Sequence, residues 1–418
     1  MTSYRIKDVA RINARVLPED ADPDRRFHYI DIGAVDSKGK ISVPEENVSF
    51  KTAPSRARRL AQPGSTIVST VRTYLRAVAR VPPNAETLVF STGFAVLEPQ
   101  NHIDSRFLSY YCHSQRFIED VVSRSTGVSY PAINPGEIGN IPMKVPSLEE
   151  QRRIADFLDV ETERIDKLQR MRAHQLKLSA ASQAAQLTEC TTYTGDDAVF
   201  DPLLGTISPS WKISKLRHAL PAINVGVVIN PSSYFTDDGT PFIHGFNVRQ
   251  NWISPHGMKF MTQEDNYRLK RSRVYRGDVL VVRAGATCGR AAEVSSEYDG
   301  ANCASVLILR KSPVVLPEYL VTFLNSAAGK GQVQTSQYGA AQEVISAGLV
   351  GDFRISIPSL AEQRRRLEVL RRKHRIINDL DAVSKQHNAL LTERRQALIT
   401  AAVTGQIDVT TARGVDVS

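Results

Sequence analysis

Two stretches decide the fold of this 418-residue chain: VPSLEEQRR at residues 145–153 and IPSLAEQRR at residues 357–365. Their prolines are 212 positions apart (358 − 146). The same separation joins further landmarks: Gly127 with Gly339, Ile133 with Ile345, Gly136 with Gly348, Ser114 with Ser326, and the run Phe94–Leu97 with Val306–Leu309. Solenoid repeats have periods of about 20–50 residues, so this long period indicates two copies of a whole domain with its trailing segment.

The two copies agree in their apolar framework and differ elsewhere. The polar stretches Arg56–Arg59 and Asn247–Lys259 have no recognisable counterpart in the other copy. A shared scaffold with divergent loops is typical of two related modules that bind different targets. A duplication retained only for stability is the alternative interpretation.

Both quoted stretches predict the start of a long helix. Ser147 and Ser359 each begin an S-x-x-E capping box, in which the hydroxyl accepts from the third helical N–H and the glutamate returns to the serine N–H. The proline before each serine marks the end of an extended segment. Neither Leu148–Thr194 nor Leu360–Thr404 contains proline or glycine. This predicts two helices of about 40 residues, each about 60 Å long.

Each predicted helix carries an imperfect apolar seam. The first seam comprises Ile154, Phe157, Leu158, Ile165, Leu168, Met171 and Leu178, and the second comprises Leu367, Leu370, Ile377, Leu380, Leu391 and Leu398. Polar residues interrupt both seams, so neither suits a full-length homodimeric zipper. The pattern favours two helices of one chain that run antiparallel, with the remaining apolar edges available to another subunit.

The segments that precede the helices have a mixed pattern. Short apolar runs after turn residues predict strands at Ser65–Val71, Leu88–Phe90, Val279–Arg283 and Ser305–Leu309. Helical spacing across Arg106–Val122 predicts one amphipathic helix, with Glu318–Leu324 as its weaker partner. The predicted fold class is therefore α+β: two mixed α/β domains separated by two long antiparallel helices in a pseudo-two-fold internal repeat.

Composition narrows the class of protein. The net charge of +9 and the pI near 9.4 favour an anionic partner. No apolar run reaches the roughly 18 residues that span a bilayer, and the N-terminal MTSYR lacks the apolar core of a signal peptide. The chain has four cysteines, Cys112, Cys190, Cys288 and Cys303. Their spacing fits neither a CxxC pair nor a set of zinc ligands. We expect a reduced, cytoplasmic protein without a metal site.

The sequence offers no catalytic motif. Pro82-Pro83 lacks the flanking residues of the amino-methyltransferase signature, which is Asn or Asp, two prolines and an aromatic residue. The run at 329–331 lacks the upstream glycine of a phosphate-binding loop, and Gly285–Gly289 lacks the βαβ context of a nucleotide-binding turn. A strand-to-strand turn is expected at Gly285–Gly289. We predict no catalytic residue and a non-enzymatic subunit.

Two runs resemble the specificity subunits of Type I restriction–modification systems: IPMKVPSLEEQRRIADFL at 141–158 and ERRQALITAAVTGQIDV at 393–409. The resemblance covers nearly the whole chain, in the order variable domain, helix, variable domain, helix. The helix motifs are specific to that family, whereas the domain matches are generic framework. RLEVL at 366–370 departs from IADFL at 154–158, and TYTG at 192–195 departs from AVTG at 402–405. These departures leave the partner contacts at the two helix ends unequal.

The resemblance implies a DNA sequence-specificity subunit. Each target-recognition domain would read one half of a bipartite asymmetric site, and the helices would set the spacer and dock two methyltransferase subunits. Restriction subunits would join this core. This chain would hold no cofactor, and its partners would use S-adenosylmethionine, ATP and Mg. The expected target-recognition domains are residues 1–146 and 211–357, the spacer helices 147–194 and 358–408, the linker 195–210 and the tail 409–418.

Candidate DNA contacts are basic side chains of the two domains and polar side chains of two loops. Lysine and arginine neutralise phosphates, and arginine reads guanine with two hydrogen bonds. The candidates are Arg56, Arg58, Arg59, Arg72, Arg76, Ser129 and Tyr130 in the first domain, and Lys259, Arg271, Arg273, Arg283, Arg290, Tyr338 and Gln342 in the second. For each of them, a solvated surface side chain is the competing interpretation. The alternative function is a non-catalytic coiled-coil assembly scaffold whose globular domains bind protein.

Overall fold

A computed structural model describes residues 2–127, 130–228, 231–337 and 344–409. Contacts divide the chain into two compact units. Unit 1 comprises the described residues of 1–173 and 385–418, and unit 2 comprises those of 174–384. Within the described residues, no helix has the length and apolar character needed to cross a membrane.

Unit 1 is built on two four-stranded sheets and a two-stranded ribbon. Its strands are β1 (Thr2–Arg5), β2 (Ala10–Ile12), β3 (Arg26–Ile30), β4 (Val48–Ser49), β5 (Ala57–Arg59), β6 (Thr66–Ser69), β7 (Val78–Arg80), β8 (Leu88–Ser91), β9 (Phe94–Pro99) and β10 (Pro142–Val145). The sheet orders are β2-β9-β6-β7 and β4-β3-β8-β5, and β1 pairs with β10. The pairs are antiparallel except for β3 with β8, which is parallel.

Helices cover one face of this framework. The short ones are α1 (Ile6–Val9), α2 (Ser105–His113), α3 (Gln115–Ser123) and α4 (Pro135–Gly139). The long helix α5 (Leu148–Thr191) follows β10. Phe107 of α2 and Phe117 of α3 are fully buried in a core that also contains Ile154 of α5. Burying aromatic rings against the start of α5 therefore fixes this helix to the domain that precedes it.

Unit 2 repeats the arrangement. Its strands are β11 (Val199–Asp201), β12 (Gly205–Ile207), β13 (Lys212–Lys215), β14 (Ile223–Val225), β15 (Phe235–Thr236), β16 (Thr240–His244), β17 (Lys259–Met261), β18 (Val279–Val282), β19 (Ala291–Glu293), β20 (Asn302–Ala304), β21 (Val306–Leu309) and β22 (Arg354–Ile357). Its short helices are α6 (Leu216–Ala219), α7 (Gln263–Arg268), α8 (Pro317–Asn325), α9 (Ala327–Gln337) and α10 (Ala347–Asp352). The order β14-β21-β18-β19 matches β2-β9-β6-β7, and β13 pairs with β22 as β1 pairs with β10.

The strand predictions are confirmed to within about a residue or two, and the predicted α+β class is confirmed. The expected turn at Gly285–Gly289 joins the antiparallel strands β18 and β19. The prediction of one helix across Arg106–Val122 is wrong, because Ser114 is extended (φ −65°, ψ 148°) and separates α2 from α3. Its buried hydroxyl donates to the Tyr111 carbonyl and accepts from the Phe117 N–H. Ser326 makes the same donation to Phe323 between α8 and α9.

The second long helix is α11 (Leu360–Val403), and α5 and α11 have 44 residues each. The two helices run antiparallel in both units. Gln169 donates to Thr392 within unit 1, and Gln183 donates to Asn378 within unit 2. Half of each predicted capping box forms, because the hydroxyls of Ser147 and Ser359 accept from Glu150 N–H and Glu362 N–H at 3.2 Å. The Glu362 carboxylate instead accepts from Trp211 and Arg366.

A buried glutamine fixes each helix start to its domain. Gln151 Nε2 donates to the carbonyls of His102 (3.2 Å) and Pro146 (3.0 Å), and Oε1 accepts from Asp104 N–H at 2.7 Å. Gln363 repeats these three bonds 212 residues later, with Val314 (3.0 Å), Pro358 (2.9 Å) and Leu316 N–H (2.8 Å). Both side chains are almost completely buried. The glutamine of the EQRR motif is thus a structural lock.

The predicted seams are only partly buried. Ile154, Leu158, Ile165, Leu367 and Leu370 are buried as expected. Four other residues of the predicted seams are exposed: Leu168, Met171 and Leu178 on α5, and Leu380 on α11. Assigning these four to a buried seam was wrong, because each side chain is at least 40% exposed, as residues on the solvent-facing part of an amphipathic helix are.

Candidate nucleic-acid interface

Three loops meet at one edge of unit 1, which we call loop edge 1. The turn after β6 is joined to the turn between β8 and β9, because Thr70 N–H donates to the Gly93 carbonyl at 2.8 Å. The segment before α4 joins the same turn through Ile133 N–H, which donates to the Thr70 carbonyl at 2.8 Å, and through Arg72 N–H, which donates to Pro131. Main-chain hydrogen bonds therefore set the relative positions of these loops.

Unit 2 has the same edge, loop edge 2. Arg283 N–H donates to the Ser305 carbonyl, and Ile345 N–H donates to the Arg283 carbonyl. Thr70 and Arg283 are 213 positions apart, whereas Gly93 and Ser305, like Ile133 and Ile345, are 212 apart. Unit 2 is one residue shorter between these landmarks, with 22 positions from Arg283 to Ser305 against 23 from Thr70 to Gly93, and this accounts for the difference. The two edges thus have one backbone design.

A further loop of each unit also has a common design. The turn after β3 closes with a bridge between Val35 and Ile41, and the turn after β16 closes with a bridge between Val248 and Ile253. Ser254 N–H donates to the Asn247 carbonyl as Ser42 N–H donates to Ala34. The expectation that Asn247–Lys259 lacks a counterpart is therefore wrong for its first half. The first loop contains Lys38 and Lys40, whereas the second contains Arg249 and Trp252. Because the side chains differ, the sequence alone did not show that the two loops are equivalent.

The stretch Arg56–Arg59 also has a counterpart, contrary to expectation. Arg59 of β5 pairs with Phe90, and Arg273 bridges to Asn302, which lies 212 positions after Phe90. The Nε atoms of both arginines are buried without a hydrogen-bond partner among the described residues. Burial lowers the pKa of the Arg59 guanidinium. A bulge in β5 shifts the register, which explains why a fixed offset missed the match.

The structure brings four of the candidates of unit 1 together at loop edge 1. The Arg72 guanidinium lies 5.1 Å above the exposed ring of Tyr130. Arg76 donates to Gln115 at 2.9 Å. Arg56 is exposed, and its carbonyl accepts from Thr92 N–H, next to Gly93. By contrast, Arg58 is half-buried above the ring of Phe50 and Arg59 is half-buried in β5.

The candidates of unit 2 divide in the same way. Arg283 is at the base of loop edge 2, and Arg290 follows the turn that closes with Gly289 N–H donating to Val282. Lys259 is exposed in β17, opposite Phe242 of β16. Arg273 is half-buried, and its guanidinium lies over the ring of Tyr275. Arg271 is exposed beside a hollow of 620 Å³ that Lys270, Tyr275 and Arg310 also line.

Three candidates, Ser129, Tyr338 and Gln342, lie outside the described residues. Sequence reasoning missed the exposed aromatic rings near the loop edges. Phe246 stacks on His244 with ring centroids 5.2 Å apart and planes 9° from parallel, and about half of Phe246 is exposed. Trp252 and Tyr74 are also more than half exposed. Isolated aromatic residues in turns were the available signal, because stacking on bases requires exposed rings.

Burial and a nearby charge disfavour the protonated form of His244. Desolvation and then the Lys259 ammonium lower the pKa of its imidazole. Within the described part of the chain, no cluster of three or more His, Cys, Asp or Glu side chains could hold a metal ion. The loop edges therefore offer cations, amides and aromatic faces, which suit contacts to an anionic polymer with flat bases.

Comparison with known proteins shows which proteins this chain resembles. The family model for the Type I restriction modification DNA specificity domain matches residues 1–177. The specificity subunit of the EcoKI enzyme of Escherichia coli K12 is 21% identical over 76% of this chain and 69% of its own length. The StySPI specificity subunit of Salmonella potsdam is 22% identical over 94% of this chain and 83% of its own. Along nearly its whole length, the chain is thus similar to the specificity subunits of Type I restriction–modification systems.

Solved structures of specificity subunits have the same fold. A chain from a structure on complex assembly and conformational transition of the type I R-M system is 25% identical and covers 97% of this chain and 98% of its own, with a TM-score of 0.75. The HsdS subunit from Thermoanaerobacter tengcongensis is 25% identical over 97% of each chain, with a TM-score of 0.52. Specificity subunits are the non-catalytic DNA-recognition components of their complexes.

Proposed function

We propose that each unit of this specificity subunit reads one half of a bipartite, asymmetric DNA site. The observation that carries the proposal is the pair of loop edges, which share main-chain hydrogen bonds and differ in side chains. A common backbone holds each reading surface in the same way. Different side chains on that backbone select different bases, because base edges are distinguished by donor and acceptor patterns. Two non-identical surfaces would make the site asymmetric.

We further propose that α5 and α11 set the spacer between the two half-sites. Each helix has 44 residues, which corresponds to about 66 Å at 1.5 Å per residue. Hydrogen bonds between the helices, such as Gln169 to Thr392 and Gln183 to Asn378, support a stiff pair. A stiff pair would make the spacing a fixed property of the chain.

Exposed apolar side chains on the helices support docking of two methyltransferase subunits. Leu168 and Met171 of unit 1 are 40% and 60% exposed, and Leu380 and Val383 of unit 2 are 52% and 47% exposed. Each residue of the first pair is 212 positions from its equivalent in the second. Exposed apolar patches mark protein contacts. One contact that occurs twice suits two copies of one partner, and we name the pairs docking pair 1 and docking pair 2.

Chemistry would then belong to the partners. Methyltransferase subunits would bring S-adenosylmethionine, and restriction subunits that join the core would bring ATP and Mg, in the cytoplasm. The chain itself would select the DNA site at which its partners act. No side chain of the proposed surface needs to act as an acid, base or nucleophile for this task.

DNA binding by the full chain in complex with its methyltransferase tests the proposal. We expect a preference for one bipartite site, and a fall in affinity of at least tenfold between about 50 and 200 mM salt, because phosphate contacts release counterions. Fluorescence anisotropy with cognate and scrambled duplexes measures both. A complex that binds all duplexes equally, with affinity independent of salt, would favour the protein-binding scaffold instead.

A further inference from the structure

Two arginines of loop edge 1 have a left-handed backbone. Arg72 has φ 52° and ψ 47°, and Arg76 has φ 55° and ψ 35°, on either side of the turn Thr73–Leu75. This conformation is costly for a residue with a β-carbon, because the β-carbon crowds the following carbonyl oxygen. The described residues other than glycine with positive φ are Asn13, Arg72, Arg76, Asn251 and Ser305. Strain of this kind is concentrated at functional sites.

Unit 2 has glycine at both equivalent positions. The offset of 213 that relates Thr70 to Arg283 places Arg72 on Gly285 and Arg76 on Gly289. These glycines have φ 78° and 83°. The turn therefore adopts the same left-handed conformation without an arginine, and glycine does so at little steric cost. The arginine side chains of unit 1 must serve a purpose other than forming the turn.

The surroundings of Arg72 indicate that purpose. Its side chain is exposed, and its guanidinium carbon lies 5.1 Å from the centroid of the Tyr130 ring, which is 66% exposed. Within the described residues no carboxylate pairs with it, so the N–H edges of its guanidinium face solvent. Tyr74 and Leu75 beside it are also exposed. A planar guanidinium placed over an aromatic ring, with N–H donors that pair with no carboxylate of the described residues, has the form that guanine O6 and N7 accept.

We propose that Arg72 is a base-reading residue of the first domain, held in position by Tyr130 and by the left-handed turn. This inference rests on the proposed function of the loop edges. Arg76, which donates to Gln115, is a positioning residue that fixes the far side of the same turn. Gly285, the equivalent of Arg72 in the turn after β18, has no side chain for this task. A base is therefore read by this turn in the half-site of unit 1 and not in that of unit 2.

Three substitutions at Arg72 test the proposal in the full chain bound to its methyltransferase. Arg72→Gly and Arg72→Ala both remove the guanidinium, so each should lower affinity for the cognate site by roughly tenfold or more and relax the preference at one base pair of one half-site. Their thermal stabilities should differ, because glycine relieves the left-handed strain and alanine keeps it. We expect the Tm of Arg72→Gly to equal or exceed that of the unmodified chain and to exceed that of Arg72→Ala.

Arg72→Lys separates base reading from phosphate binding. Lysine keeps the charge but cannot form the planar two-bond contact, so discrimination at that base pair should fall as it does in Arg72→Gly. Wild-type affinity and discrimination in Arg72→Gly, or full discrimination in Arg72→Lys, would overturn the assignment. A wild-type complex without any sequence preference would instead reject the function proposed for the loop edges, so the two failures are distinguishable.

The reverse substitution is a matched test in unit 2. A β-carbon built on Gly285 meets no atom within 4 Å, so Gly285→Arg can be accommodated at the cost of left-handed strain. We expect a lower Tm and a changed base preference in the second half-site only. An unchanged preference in both half-sites would contradict the equivalence of the two turns. Gly289 is unsuitable for this test, because its β-carbon would lie 2.8 Å from Val333.

Discussion

Gln363→Ala is expected to lower the free energy of unfolding by about 3 kcal/mol or more, because it removes three buried hydrogen bonds and leaves their main-chain partners unsatisfied at about 1–3 kcal/mol each. Gln363 is 0% exposed and joins the start of α11 to Val314, Leu316 and Pro358. Gln151→Ala should have the same effect at the start of α5. For a unit of about 200 residues the Tm should fall by about 6–12 °C.

Exposed glutamines of the same helices provide controls for this experiment. Gln169→Ala removes a bond to Thr392, and Gln183→Ala removes a bond to Asn378, both accessible to water. Each should cost less than about 1 kcal/mol, because water replaces the lost partner. Calorimetry of the full chain measures all four variants. If Gln363→Ala and Gln183→Ala melt at the same temperature, the glutamine lock is not what holds the helix start.

The second large effect concerns assembly. Leu380→Glu with Val383→Glu places two carboxylates in docking pair 2, and burying unpaired charges against an apolar partner costs several kcal/mol. Affinity for one methyltransferase subunit should fall by at least about a hundredfold, since every 1.4 kcal/mol is a factor of ten. Leu168→Glu with Met171→Glu should act alike at docking pair 1. The fold should tolerate these changes, because all four side chains are largely exposed.

Native mass spectrometry of the complex measures this effect as the number of methyltransferase subunits bound to each chain. We expect two methyltransferase subunits on the unmodified chain, one on either double variant and none on the quadruple variant. Lys385→Glu is a control with the same change of charge as either double variant, about 140–160° around the α11 axis from docking pair 2, and it should keep two subunits. Two subunits on the quadruple variant would show that the partner docks elsewhere.

The long helices could be predicted from sequence because their signals are local. A serine cap, a preceding proline and an uninterrupted run suffice to predict the start at Leu148, and the repeat supplies the second start at Leu360. The break at Ser114 could not be read from periodicity, because apolar spacing continues across it and only the buried hydroxyl separates α2 from α3. The matching Ser326 was visible in the repeat, but a shared serine does not by itself predict a cap.

The loop edges were harder to predict for a different reason. Arg72 and Arg76 could be named as basic residues, but their left-handed conformation and their match to Gly285 and Gly289 depend on main-chain hydrogen bonds between distant loops. The role of Gln151 was likewise hidden, since its partners His102 and Asp104 are far away in sequence. Features that depend on hydrogen bonds between residues distant in sequence could therefore not be predicted, whereas features with local signals could.

Mapping methylated adenines in a host that carries the complete system tests the central claim most directly. The chain is compared with a chimaera in which residues 1–146 are replaced by the corresponding domain of a specificity subunit with a different target. Two independent reading units predict that one half of the methylated site changes while the other half and the spacer stay the same. Changes in both halves, or in neither, would contradict the claim that each unit reads its own half-site.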